Sequence, residues 1–350
     1  MIMDPERLPA RSRPRIGLVL GAGGVLGGAW MAGALPALQE CLPCAVNDVD
    51  VIVGTSAGSV LAAALRCRIS VGELIAHQRG EAAGVLRSAA ADEIGGRAFP
   101  PPPHLRVGSP RLMLSAVLAP HRVHPLVGAS AWLPRGRAQH TALRDMVHVL
   151  HGQAHSGAHG PAAAPLTMAG PGPDGPDWVD GQTWIVAVDY DSGRRVIFGR
   201  PGAPRARLPE AVVASCSIPG WFEPAVIGGR RYVDGGVRSP TSLGVLARSG
   251  LDEVYVLAPM ASTSPGRAAR PHEQVERKLR RLIALALLRE AQLLRSAGIR
   301  VTLVTPGPED LAAMGLNLMD PRRRLAVMET SLRTSAAALA SIGPARSQVA

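Results

Sequence analysis

The pentapeptide Gly54-Thr55-Ser56-Ala57-Gly58 is the feature that most restricts the folds open to this chain. It follows the apolar run 49–53 and precedes a helix-like run at 59–65. A serine on a sharp turn after a strand projects its hydroxyl out of the sheet, and flanking glycines let the neighbouring backbone come close. Because the chain contains 39 glycines, such a pentapeptide can also arise by chance. Its place between a predicted strand and a predicted helix makes Ser56 a candidate nucleophile, on an elbow formed with Gly54, Ala57 and Gly58.

A second glycine-rich turn lies upstream, where the predicted strand 15–20 is followed by the loop 21–28 and then by a helix. Such a turn presents unpaired backbone N–H groups and the positive end of a helix dipole to an anion. A dinucleotide would need G-x-G-x-x-G, but Leu26 stands at the third glycine position, and no acidic residue is well placed for a ribose. The other candidate anion is the oxyanion of an acyl-transfer intermediate. We favour the oxyanion because Ser56 follows the next predicted strand; the remaining interpretation is a loop that only tightens the turn.

The histidines offer a poor general base for Ser56. Nine of the ten precede residue 160, and those at 140–159 lie in or beside a Gly/Ala/His/Pro-rich stretch without metal-ligand spacing. The chain order of the α/β-hydrolase triad, with the histidine last, would require His272. His272 lies in a polar stretch that is typical of a solvated segment, so we look for the base elsewhere.

A carboxylate is the better candidate base. Asp234 ends a short predicted strand and is followed by Gly235 and Gly236, which allow a tight turn. A poorly solvated carboxylate in hydrogen-bond reach of a serine can orient the hydroxyl and accept its proton. Asp-Gly is also a common hairpin pair, so a purely structural turn remains an alternative. The rival carboxylates Asp189 and Asp191 lie in a turn-like segment and lack the two following glycines.

Four motifs, taken in this order, resemble those of the patatin-like phospholipases, which are serine acyl hydrolases with a Ser-Asp dyad and no catalytic histidine. The motifs are the glycine-rich block 22–27, the elbow 54–58, the Ala-Ser segment 214–224 with its proline and aromatic residues, and Asp-Gly-Gly at 234–236. The resemblance implies an α/β fold with three α/β/α layers around a mainly parallel sheet. The active site is then expected at the carboxyl ends of the strands.

The resemblance also implies roles for individual residues. Ser56 would be the nucleophile, Asp234 the base, and the amides of Gly23 and Gly24 the donors to the oxyanion. It implies hydrolysis of carboxylic esters in lipids or other fatty-acyl compounds through an acyl-serine intermediate, as in a phospholipase, lysophospholipase or esterase. No cofactor and no metal are expected.

Two positions depart from the family pattern, and two other functions stay open. Ala22 replaces the first of three glycines, and Leu26 replaces an arginine or lysine. An alanine keeps the backbone N–H donors in place if its position needs no positive φ, whereas loss of the cation changes the charge of the loop.

One alternative function is that of an acyltransferase that uses the same dyad, since nothing in the sequence separates water from an alcohol as acceptor. The other is a catalytically weak lipid-binding scaffold at a membrane, against which the intact Ser56 and Asp234 argue.

Composition restricts the partners and the location of the protein. The formal net charge is +11, and Lys278 is the single lysine. A basic surface can contact an anionic membrane, but the arginines are scattered and no nucleic-acid motif or aromatic platform accompanies them, so no nucleic-acid partner is expected. The N-terminus lacks the apolar core of a signal peptide, and no apolar run reaches about 18 residues. We therefore expect a cytoplasmic protein, peripheral to the membrane where it meets its lipid.

The four cysteines do not form a pattern of their own. Four in a chain of this length do not suggest a disulfide scaffold. Cys41 and Cys44 form a lone C-x-x-C after a predicted helix, which we interpret as structural.

Breaks in the pattern predict the organisation of the chain. Residues 1–14 are expected to be a flexible arm, 15–341 a single domain and 342–350 a frayed tail. Within the domain we expect a helical insertion at about 67–150, acting as a lid or acyl-chain wall or as extra packing, and a flexible loop at about 151–181. A helix is predicted at about 273–297. Its core-facing stripe is expected to comprise Leu282, Ile283, Leu285, Ala286 and Leu293.

Overall fold

Strands and helices alternate through the described part of the chain, which in this computed structural model comprises residues 13–81, 99, 101–156, 178–262 and 271–342. The strands are β1 (Ile16–Leu20), β2 (Val51–Thr55), β3 (Gln182–Asp189), β4 (Arg195–Phe198), β5 (Ala225–Ile227), β6 (Arg230–Asp234), β7 (Glu253–Leu257) and β8 (Arg300–Val304). The helices are α1 (Gly24–Cys41), α2 (Ala57–Arg66), α3 (Val71–Arg79), α4 (Pro110–Leu118), α5 (Pro125–Ser130), α6 (Thr141–Ser156), α7 (Leu208–Cys216), α8 (Pro271–Ser296), α9 (Pro308–Met314) and α10 (Arg324–Ile342).

The described strands form one eight-stranded sheet in the order β5-β6-β3-β2-β1-β7-β8, with β4 also paired to β3. The pairs β1–β2, β1–β7, β2–β3 and β7–β8 are parallel, whereas β4, β5 and β6 pair in antiparallel fashion. Strands β1 and β2 are buried throughout, as expected for parallel strands covered on both faces. The predicted α/β fold with a mainly parallel central sheet is confirmed.

Alternate residues of the central strands face two separate cores, because side chains along a strand point to opposite faces. In β1, Leu18 and Leu20 belong to the core shared with α1, α2 and α10, whereas Val19 belongs to the core beneath α8. Trp30 is one of the few aromatic side chains that are fully buried. Most of the remaining core consists of alanine, valine and leucine.

Helix α10 lies close against α1. A Cβ atom on Gly33 would come 2.5 Å from the carbonyl oxygen of Met328, so the two backbones nearly touch. The hydroxyl of Ser331 donates a hydrogen bond to the carbonyl of Trp30 at 2.7 Å. The segment that leads into α10 also contacts the start of α1, because the amide of Leu26 donates a hydrogen bond to the carbonyl of Leu318 at 2.9 Å.

Helix α8 buries a different face from the one predicted. The predicted stripe was wrong, because Leu282, Leu285, Ala286 and Leu293 are exposed and Ile283 is half-buried. The buried face follows helical spacing and consists of Arg280, Ala284, Leu287, Ala291 and Leu294. Its two alanines let the helix lie close to the sheet.

Within the segment 67–150, for which a helical insertion is predicted, the described residues form α3, α4, α5 and most of α6, while residues 82–98 and 100 lie outside the described residues. Helix α6 continues to Ser156, into the segment predicted as a loop. Residues 1–12, 157–177 and 343–350, on which the predictions of an arm, a loop and a tail rest in large part, lie outside the described residues. Among the helices that the structure describes, none has the length and apolar character needed to cross a bilayer.

Candidate active site

Ser56 occupies the sharp turn between β2 and α2. Its backbone has φ 53° and ψ −123°, a region that non-glycine residues seldom adopt and that functional sites retain. The flanking glycines are needed for space. A Cβ atom on Gly54 would lie 2.5 Å from the Cα of Ser59, and one on Gly58 would lie 2.0 Å from the carbonyl oxygen of Leu20. The predicted elbow is thus held between the helix behind it and the neighbouring strand.

Asp234 reaches Ser56 because β2 and β6 follow one another along the same edge of β3. Val186 of β3 pairs with Thr55, and the next residue, Ala187, pairs with Asp234. Strand β4 pairs with the same two β3 residues. Since a strand has only two edges, β4 takes one of them, and the ends of β2 and β6 meet on the other.

The carboxyl group of Asp234 is buried between the Ser56 side chain and the amide of Gly236. Its Oδ1 accepts a hydrogen bond from the amide of Gly236 at 2.7 Å. Burial raises the pKa of Asp234 to about 6, against the lowering effects of the Ser56 side chain and the Gly236 amide. A Cβ atom on Gly235 would lie 2.6 Å from the carbonyl of Val186, so this glycine is needed for the strand end to pack here.

The glycine loop before α1 follows the carboxyl end of β1 and lines the same pocket as Ser56. Gly24 has φ +61°, and a Cβ there would also lie 2.9 Å from the carbonyl of Leu318. Gly23 has φ 178° and ψ 8°, and a Cβ on it would meet Gly27 and Pro259 at 2.7 Å. The amides of Gly23 and Gly24 lie at the start of α1, where backbone N–H groups have no partner within the helix.

The two departures from the family pattern have local explanations. Ala22 is not among the described residues with positive φ, and its amide donates to the carbonyl of Pro240 at 2.7 Å. The backbone therefore accommodates an alanine there. Leu26 is fully buried in the core beneath α1, a site without room for a solvated cation.

Ser215 is a site residue whose role the sequence patterns did not reveal. Its hydroxyl accepts a hydrogen bond from the amide of Ser56 at 2.9 Å and donates one to the carbonyl of Val186 at 2.7 Å. The side chain ties the elbow to β3. Because the amide of Ser56 is used in this way, the helix donor that remains closest to the nucleophile is the amide of Ala57. Only its place in the Ala-Ser motif could have drawn attention to Ser215.

A largely apolar pocket of about 230 Å³ extends from Ser56. The stacked rings of Phe222 and His140, with centroids 3.7 Å apart, form part of its wall. Nε2 of His140 donates to the carbonyl of Cys216 at 3.0 Å, which assigns the proton to that nitrogen. Burial lowers the pKa of His140 to about 4, so this ring is neutral near physiological pH. The other pocket-lining residues include Val60, Leu61, Ala64, Leu74, His77, Leu143, Met146, Leu150, Met319 and Arg324.

The other residues considered as the general base, Asp189, Asp191 and His272, have different neighbours from Asp234. Oδ1 of Asp189 accepts from the amide of Ser192 at 2.9 Å, and its Oδ2 lies 3.2 Å from Nη1 of Arg230. Asp191 is paired with Arg231, which lowers the pKa of that carboxyl. His272 lies in the first turn of α8.

The two cysteines of the C-x-x-C pair form no disulfide bond, whereas Cys216 lines the pocket. Cys41 and Cys44 are both free thiols. In the parts of the chain that the structure describes, no three His, Cys, Asp or Glu side chains form a group able to hold a metal ion.

The chain was compared with known protein structures, sequences and family models. Among solved structures, the chain is similar to VipD from Legionella pneumophila, with 12% identity and a TM-score of 0.36, over 94% of this chain and 67% of that chain. It is also similar to the type III effector protein ExoU, with 17% identity and a TM-score of 0.28, over 94% of this chain and 60% of that one. No curated protein sequence matches it. The model of the patatin-like phospholipase family matches residues 18–247, which include Ser56, Asp234 and the glycine loop. With more than half of its length matched, the chain belongs to the patatin-like phospholipase family.

Proposed function

We propose that the protein is a lipid acyl hydrolase in which Ser56 is the nucleophile and Asp234 its general base. Family membership implies lipid acyl hydrolysis and therefore lipid substrates. The strand pairing that brings Asp234 beside Ser56, together with the effect of the Ser56 side chain on the pKa of this buried carboxyl, supports these roles. A nucleophile next to a base is the minimum that acyl-serine chemistry requires.

In the proposed reaction, Oγ of Ser56 attacks the ester carbonyl while Asp234 accepts the hydroxyl proton. The amides of Gly23, Gly24 and Ala57 stabilise the oxyanion. Collapse of the tetrahedral intermediate breaks the ester bond, and Asp234 returns its proton to the departing alcohol. Water then attacks the acyl-enzyme and gives a proton to Asp234. As the bond between the acyl group and Oγ breaks, Asp234 passes this proton to Oγ of Ser56, which restores the hydroxyl and releases the fatty acid.

The pocket is suited to the acyl chain of the substrate. Its apolar walls, formed by helices α2, α3 and α6, can take a hydrocarbon chain whose burial contributes about 0.8 kcal/mol per methylene group. Arg324, a half-buried residue, lines the same pocket. We infer that it supplies the positive charge that Leu26 cannot, so that an anionic headgroup is favoured beside the scissile ester.

Labelling by a fluorophosphonate probe tests the proposed nucleophile. Folded protein is expected to form one covalent adduct on the peptide that contains Ser56, and Ser56→Ala should lose it. The exposed Ser192 provides a matched control, since Ser192→Ala should keep the adduct. Labelling at another residue would contradict the assignment of Ser56. Absence of labelling in folded, detergent-treated protein would favour the scaffold function over the enzyme.

The pH dependence of hydrolysis should report the ionisation of Asp234. Because the base must be ionised, kcat/KM for a soluble ester is expected to rise with pH and to level off above about pH 6. His140 cannot cause this inflection, since burial lowers its pKa to about 4. His77 also lines the pocket, so the profile should be repeated with His77→Gln. An inflection that His77→Gln removes would assign it to that histidine and contradict the role of Asp234.

A further inference from the structure

We propose that residues 101–137 form a docking face for anionic lipid membranes beside the mouth of the pocket. The inference rests on the proposed function, because it assigns this face the task of presenting the pocket to lipid. The docking face is defined by its exposed apolar and cationic side chains. These are Leu105, Val107, Leu114, Val117, Leu118, Leu126, Trp132 and Leu133, with Arg106, Arg111, Arg122 and Arg137.

The apolar part of the docking face is denser than ordinary surface. Exposed apolar residues are normally scattered singly, whereas eight large ones lie within residues 105–133. On α4, Leu114, Val117 and Leu118 share one side of the helix through their three- and four-residue spacing. Leu118 is 73% exposed, whereas Leu112 on the opposite side is fully buried. Helix α4 therefore has one apolar side against the protein and a second apolar side facing outward.

The outward apolar side chains are not needed to hold this segment in place. The segment is anchored by a small core in which Leu112 and Val127 pack with Val188 and Val233 of the sheet. Polar contacts add to this anchor: the hydroxyl of Tyr190 donates to the carbonyl of Ser130 at 2.7 Å. The exposed leucines and Trp132 thus remain available to a lipid bilayer.

The charge of the segment selects an anionic surface. Between residues 101 and 144 there are six arginines and no aspartate or glutamate. Two carboxylates beside the segment have partners of their own: Asp191 pairs with Arg231, and Glu223 accepts a hydrogen bond from the side-chain amide of Gln139 at 3.4 Å. Apolar side chains flanked by arginine and tryptophan are the combination that places a protein in the headgroup region of an anionic bilayer.

The docking face is continuous with the wall of the pocket. Just beyond it, the amide of Ala138 donates to the carbonyl of Trp221 at 3.2 Å, and the carbonyl of Ala138 accepts from Glu223 at 2.9 Å. Phe222, between those two partners, and His140 both line the pocket. A membrane bound at residues 101–137 therefore lies next to the wall along which an acyl chain would enter.

Flotation with lipid vesicles tests the docking face. The full chain carrying Ser56→Ala, which leaves the vesicles intact, is expected to float with phosphatidylcholine vesicles that contain phosphatidylglycerol. It should float much less with phosphatidylcholine alone or at high salt. Arg111→Glu with Arg122→Glu, and separately Leu114→Ser with Leu118→Ser, should each lower the partition coefficient by about tenfold or more.

A matched control comes from α8, which belongs to a different core and also exposes leucines and cations. There, Arg281→Glu with Leu282→Ser should leave flotation unchanged. Both docking-face variants, made in the chain that keeps Ser56, should hydrolyse a soluble short-chain ester at the rate of the unmodified protein. This activity also shows that they fold.

Several outcomes would overturn the inference. One is equal flotation with neutral and anionic vesicles; another is loss of binding in the α8 variant alone. A third is a dimer in solution that Leu114→Ser with Leu118→Ser dissociates, without vesicle binding, which would assign the face to a second copy of the chain. Failure of the proposed function looks different: anionic vesicles would be bound, but no ester would be hydrolysed.

Discussion

Replacing Asp234 by asparagine is expected to lower kcat/KM for a soluble ester by about 10³-fold while making the folded protein more stable. The loss follows because an amide cannot accept the proton of Ser56, and general-base catalysis typically contributes about 10²–10⁴-fold. Asparagine is nearly isosteric with aspartate. Its oxygen can still accept from the amide of Gly236, and its NH₂ group can donate to the hydroxyl of Ser56.

The gain in stability follows from the cost of burying an ionised carboxylate. The pKa of Asp234 is raised from 3.8 to about 6 on folding because the group is desolvated. The folded state therefore binds the proton more tightly than the unfolded state, and the free energy of unfolding falls as pH rises through this interval. Above about pH 6, burial of the ionised carboxylate lowers the free energy of unfolding by about 2–3 kcal/mol. Asp234→Asn has no carboxyl group to ionise. Its free energy of unfolding at neutral pH should therefore be higher than that of the unmodified protein by this amount.

Urea unfolding on both sides of the interval measures this effect. The difference in unfolding free energy between Asp234→Asn and the unmodified protein should be small near the lower pKa and largest above about pH 6. Asp145, an exposed residue on α6, supplies the control, since Asp145→Asn should change neither stability nor kcat/KM appreciably. An Asp234→Asn protein that stays near-fully active would remove Asp234 from the mechanism. One that is inactive but less stable would show that the carboxylate mainly serves packing.

Much of the fold and of the candidate site could be predicted because the relevant signals are local. A strand, a glycine turn and a helix each leave a pattern within about ten residues, so β1 with its loop and β2 with Ser56 could be recognised directly. Asp234 was identifiable from the two glycines that follow it. What brings it to Ser56 is not local, since it depends on both β2 and β6 pairing along one edge of β3.

The features that the sequence did not predict depend on tertiary contacts. Ser215 differs from other serines only in lying between the amide of Ser56 and the carbonyl of Val186. Helix α8 has apolar residues on both sides, and the side richer in leucine was predicted to face the core. The sheet instead receives the side with Ala284 and Ala291, because small residues allow close approach. Periodicity shows that a helix is amphipathic, but an apolar pattern on both sides leaves the buried side undecided.

Gly58→Ala is expected to destabilise the protein by about 3 kcal/mol or more and to lower kcat/KM by about 100-fold in whatever fraction folds. The added methyl carbon would lie 2.0 Å from the carbonyl oxygen of Leu20 and 2.4 Å from its carbon, and both are backbone atoms that cannot rotate away. Helix α2 would have to move off β1. Such a movement carries Ser56 away from Asp234, and a shift of about 1 Å is enough to disrupt a reacting geometry.

Gly72→Ala provides the control for this clash. Gly72 is also in the first turn of a helix, but the nearest atom to a methyl group added there is the Oγ of Ser70 at 4.0 Å, so the change should stabilise α3 by up to about 1 kcal/mol. Urea unfolding and the rate of fluorophosphonate labelling would be measured for both variants. If Gly58→Ala unfolds at the same urea concentration as the unmodified protein, the close contact of α2 with β1 is wrong. If it is destabilised yet labels at the full rate, the position of Ser56 does not depend on that contact, and the elbow is held mainly by Ser215.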